Sequence, residues 1–76
     1  MKEILETIIR NIVENQDAIV ITEKVEEKTS NYSVKVAEED MGRVIGKQGK
    51  TAKAIRMIMK SVAAKEHKRI AIEFED

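Results

Sequence analysis

Val44-Ile45-Gly46-Lys47-Gln48-Gly49-Lys50-Thr51 links two segments of helical periodicity, and it sets Gly46 and Gly49 beside Lys47 and Lys50. Glycines at these two positions permit positive φ and leave the backbone without a side-chain shield. A helix beginning near Lys50 turns its free N–H groups and the positive end of its dipole toward whatever approaches the turn. Lys47 and Lys50 add full charges, and Gln48 adds neutral donors. These are the requirements of an anion-binding turn. Glycines between two helices also form a plain αα turn with a helix cap. The loop alone leaves both readings open, and its surroundings decide between them.

Charge along the chain changes sign at this stretch. Residues 1–40 carry 5 Lys/Arg against 10 Asp/Glu, residues 41–69 carry 9 against 1, and residues 70–76 carry none against 3. The formal net charge of +0 therefore conceals a segregated basic block, which attracts polyanions to one face. In the second helical segment Lys50, Lys53, Arg56 and Lys60 share a face opposite an expected apolar stripe of Ile55, Ile58, Met59 and Val62. Arg43 and Lys47 lead into that face, and no acid interrupts it. Solvated helix faces ordinarily mix signs, so a binding face is the better reading. Met57 falls beside the basic face; an incidental surface methionine is common, and contact with a partner is the alternative.

Outward from the loop, the patterns give one element after another. Ile4, Leu5, Ile8, Ile9, Ile12 and Val13 recur at helical spacing, with Glu3, Glu6, Arg10 and Glu14 on the other half, which predicts a helix over residues 3–14. The β-branched run 18–25 predicts a strand, 26–31 a polar hairpin loop, and 32–37 a second strand. Tyr32, Val34 and Val36 then face one way and Ser33, Lys35 and Ala37 the other. Asp40 is the expected N-cap of a short helix over 41–45. Residues 46–49 are a turn, 50 to about 65 a longer helix, and 69–75 a last strand with Ile70, Ile72 and Phe74 on one face. The order is α-β-β-α-α-β. A two-helix crossover joins parallel strands, so a mixed three-stranded sheet with helices on one face and solvent on the other is predicted.

The stretch from Val44 to Gly49, followed by a basic amphipathic helix carrying Ile55 and Ile58, resembles the GxxG signature of KH domains. The element order resembles their type II form, and the likeness, to the KhpA (YlqC-like) family of small bacterial one-domain KH proteins, spans nearly the whole chain. It implies an α+β fold, a type II KH domain over residues 1–76. It also implies that Gly46, Lys47, Gln48 and Gly49 clamp the backbone of single-stranded RNA, about four nucleotides of it. Ile45 would help floor a groove for the bases, Arg43, Lys50 and Lys53 would hold phosphates, and Arg56 would extend the basic face. The resemblance further implies a homodimer, a larger Jag-type KH partner (KhpB), work as an RNA chaperone or post-transcriptional regulator, and a role in cell shape. Many KH domains have a large aliphatic three residues after the second glycine; here that residue is Ala52, which implies a wider groove or relaxed base selectivity. Two alternatives stay open, a protein-interaction module built on the same helix and a single-stranded DNA binder.

Other functions are disfavoured. Gly49-Lys50-Thr51 mimics the end of a P-loop, but Val44 stands where its first glycine is required, and 76 residues leave no room for a nucleotide-binding sheet. The same valine breaks the dinucleotide-binding pattern. His67 is alone, and no nucleophile is paired with a base, so neither an enzyme nor a cofactor is expected. Tyr32 and Phe74 are the only aromatics and alternate with apolar neighbours, which argues against readers that stack bases on exposed rings. Without cysteine there is no disulfide or thiolate site. The acidic amphipathic N-terminus is unlike a signal peptide, so a cytoplasmic protein is expected.

Overall fold

The computed structural model describes residues 1–75; Asp76, counted above in the acidic C-terminal run, lies outside the described residues. Helix α1 spans Lys2–Arg10, strand β1 Val20–Glu26, β2 Thr29–Lys35, α2 Met41–Ile45, α3 Lys50–Lys65 and β3 Arg69–Glu75. β2 is central, antiparallel to β1 and parallel to β3, as the crossover argument requires. Leu5 and Ile9 of α1, Val44 of α2, and Ile55, Met59 and Ala63 of α3 join Tyr32, Val34, Ile70 and Ile72 in one buried cluster. All three helices thus cover one face of the sheet. Each large side chain in that cluster contributes roughly 1.5–3 kcal/mol through burial. No helix among the described residues is long and apolar enough to cross a membrane.

Four local expectations are corrected. The first helix ends at Arg10 rather than residue 14. Asn11 and Val13 donate to Thr7 O and Ile9 O, Gln16 Nε2 closes on Arg10 O and Val13 O, and this irregular turn still buries Val13. Asp40 sits at the start of α2 but makes no side-chain cap. Its buried carboxylate instead accepts the N–H groups of Asn15 at 3.0 Å and Glu14 at 3.2 Å, tying the end of the first helical segment to α2. Those bonds, Asn15's first, hold its pKa below the ordinary carboxylate value. The hairpin loop is only Glu27-Lys28, with Glu27 at φ +50°; the polar run 29–31 is strand, and Ser30 is buried within it. Finally, Ile58 is not in the core stripe, which consists of Ala52, Ile55, Met59 and Ala63.

α3 ends in a Schellman motif. The Lys68 N–H donates to Ala63 O at 2.9 Å, the His67 N–H to Ala64 O at 3.1 Å, and His67 takes the left-handed position at φ +58°. The lone histidine is therefore an exposed helix stop.

Candidate nucleic-acid interface

Glycine dictates the shape of the loop. Gly46 ends α2 at φ +76°, ψ 173°, a region closed to nearly every residue with a Cβ. Gly49 lies at φ +76°, ψ 11° and is the N-cap of α3. Between them Gln48 is also left-handed, at φ +57°. The turn is closed by Gly49 N–H on Gly46 O at 3.1 Å. The chain doubles back tightly with Lys47 and Gln48 on the outside, both exposed. No side chain among the described residues caps the start of α3; the N–H at Lys50 closes on Lys47 O, and the positive end of the helix dipole is left without a side-chain acceptor.

The predicted residues divide into three groups. Lys47, Lys50 and Lys53 are exposed and, among the described residues, make no ion pair. Together with Gly46, Gln48 and Gly49 they form one uncovered basic corner. Ile45 is half-buried and packs against the core beneath it. Arg43 is turned away from this free set. Its Nη2 pairs with Glu14 Oε1 at 2.8 Å, and its Nε lies 3.7 Å from Asp40 Oδ1. Arg56 is also engaged, at the seam between α3 and the edge strand β3. Its Nε donates to Ile72 O at 3.2 Å, and its guanidinium carbon stands 5.3 Å from the centroid of the Phe74 ring. Ala52, the departure noted in the sequence, is only 3 % exposed; it is packed and does not face an open groove.

Sequence reasoning missed Ile72 and Phe74 as neighbours of a basic side chain. Their alternation marked them as core, and only the parallel return of β3 beside α3 brings Phe74 under Arg56. Tyr32 is buried, as expected, and its hydroxyl donates to Glu23 Oε2 at 2.6 Å. Burial and that carboxylate push its pKa up, and it offers no ring for stacking. A hollow of about 410 Å³ lies on the open face of the sheet among Thr22, Lys24, Glu26, Asn31, Glu73 and Glu75. Its acids oppose phosphate, so it does not belong to the basic corner.

A short and a long helix joined through Gly46–Gly49, laid with a third helix on a three-stranded mixed sheet, define a KH domain. The family model described as KhpA/KhpB, KH domain matches residues 2–74, and the chain belongs to that family. Among its relatives, the RNA-binding protein KhpA of Clostridium acetobutylicum is 48 % identical over 73 residues, covering 96 % of this chain and 97 % of the relative. The proteins of the same name from Caldanaerobacter subterraneus subsp. tengcongensis and Listeria monocytogenes are 45 % and 41 % identical, again over 96 % of this chain and 97 % and 96 % of their own lengths. No solved structure matches the chain.

Proposed function

We propose that this protein binds single-stranded RNA, with the Gly46–Gly49 turn as a backbone clamp and Lys47, Lys50 and Lys53 as its counter-charges. It is a binding protein rather than an enzyme, and it serves as a post-transcriptional regulator or RNA chaperone beside a KhpB/Jag-type partner. One observation carries the reading: a helix start without a side-chain cap and three lysines that make no ion pair among the described residues meet at a turn with no side chain on either glycine. The name shared by the relatives, RNA-binding protein, supports it. With no exposed aromatic to stack a base, affinity rests on phosphates and base edges. Fluorescence-anisotropy titration of a short mixed-sequence RNA should then give salt-sensitive binding. A slope of roughly −2 to −3.5 in log K against log salt is expected for ~3–5 phosphate contacts on a single strand. Binding insensitive to salt would sink the clamp. A matched DNA oligomer in the same titration separates RNA from single-stranded DNA.

A second role is favoured by the misplaced Ile58. It is 49 % exposed and Met57 is 69 % exposed, on the outward side of α3 with Ala54. At 100° per residue, Ala54 and Ile58 fall on the flank of α3 opposite Lys53, Arg56 and Lys60. This patch suits a homodimer centred on Ile58; Met57 and Ala54 lie one turn from Lys53 and Lys50, so the interface borders the basic corner. Sedimentation should show a dimer in the wild type and a monomer for Ile58→Asp with unchanged RNA affinity. A wild type that stays monomeric at high micromolar concentration removes this role.

A further inference from the structure

Arg56 differs from the other cations of α3. Lys50, Lys53 and Lys60 are exposed, mobile point charges of the kind that suits a phosphate. Arg56 is half-buried and held twice, by Ile72 O through Nε and by the face of Phe74. These contacts fix the guanidinium plane and use one of its five N–H donors. Among the described residues neither Nη atom has a protein acceptor, yet no buried side-chain nitrogen lacks a partner. The Nη donors therefore reach solvent at the seam. Arg56 lies seven residues past Gly49, about 10 Å along the helix, within a few nucleotides of the proposed clamp. Lys53 and Lys60 share its flank at helical spacing and lie further out. A strand whose phosphates follow the lysines would have its bases directed inward, toward the fixed fork.

We infer that Arg56 is a specificity-determining residue that reads a base edge bearing two adjacent acceptors, guanine or cytosine. This deepens the RNA-binding reading and rests on it. A planar fork of donors matches guanine O6 and N7, the commonest specific contact of arginine. Cytosine O2 and N3 present the same pair. Adenine sets its N6 donor beside N7, and uracil sets its N3–H beside O4. Against arginine, which has donors only, each of these leaves donor facing donor.

The test uses decamers of uridine carrying one central guanosine, cytidine or adenosine, titrated at fixed salt against the wild type and Arg56→Lys, both checked for folding by circular dichroism. A fourth decamer carries 7-deazaguanosine, which lacks the N7 acceptor. The wild type should bind the guanosine or the cytidine oligomer roughly 5- to 100-fold more tightly than the adenosine one, the range of one bidentate base contact. Loss of the preference with 7-deazaguanosine assigns guanine; preference for the cytidine oligomer alone assigns cytosine. Arg56→Lys should bring all four within about twofold with an unchanged salt slope, because charge is kept and only the fork is lost. A wild type indifferent to the base overturns the inference without need of the variant. A variant that weakens all oligomers equally and keeps their order of affinity makes Arg56 a contact to the RNA backbone instead and overturns the inference. A folded wild type that binds none of the oligomers overturns the RNA-binding reading itself.

Discussion

Gly46→Ala is expected to lower stability by about 2–5 kcal/mol, whereas Gly49→Ala lowers it by about 1–2 kcal/mol. Both glycines have φ +76°, yet their surroundings differ. At Gly46 the ψ of 173° puts the backbone where only glycine is at ease. An added Cβ there would stand 2.2 Å from Thr51 Oγ1, 2.6 Å from Thr51 Cβ and 2.7 Å from Thr51 N. A rotamer change moves only the first of these atoms; the other two belong to the first turn of α3, so the helix start must shift. At Gly49 the conformation is ordinary left-handed helix and nothing lies within 4 Å of the added carbon. A chain of 76 residues sits near the low end of the usual 5–15 kcal/mol of stability, so the first change removes a large part of it. Urea denaturation of the two variants decides the matter. Equal losses would mean that Gly46 serves only the turn and that close approach to α3 is unimportant.

The same two glycines explain why so much of the candidate site could be proposed from the sequence. A residue with no Cβ has few reasons to recur at a helix junction, and a run of lysines without acids has few reasons to sit on one helix face. Strand pairing followed from period-two burial at Tyr32, Val34, Ile70 and Ile72, and parallel pairing from the length of the crossover. What escaped the sequence depends on contacts between distant residues. Helical spacing continues through Val13, but Asp40, 25 residues beyond Asn15, draws the chain away at Glu14 and Asn15. Ile58 has the polarity of a core residue and lies at the rim of the stripe, so only the angle of α3 on the sheet leaves it outside. Thr29-Ser30-Asn31 has loop composition, yet Ser30 is buried beside Ile70 once β3 pairs with it. Arg56 counted as one more cation on the basic face because nothing local marks the Phe74 ring and the Ile72 carbonyl that hold it.

The Lys47→Asp, Gln48→Asp double variant is expected to lose at least about 100-fold in RNA affinity while its stability stays level or rises by about 0.3–1 kcal/mol. Both side chains are exposed and neither forms an ion pair or side-chain hydrogen bond among the described residues, so no internal contact is lost. Gln48 is left-handed at φ +57°, a conformation that aspartate accepts more readily than most residues. The new carboxylates lie beside the uncapped start of α3, where the helix dipole favours negative charge. The field that strengthens the fold in this variant is the one the RNA phosphates would otherwise occupy. Two fixed anions there meet the backbone with like charge, at a cost of several kcal/mol for close juxtaposition. Stability and affinity therefore move in opposite directions, which a variant that merely damages the fold cannot do. Thermal melts and anisotropy titrations on the same preparations read both. Parental affinity in the well-folded double variant would place the RNA on another surface, and parallel losses in both measurements would make the loop a structural turn.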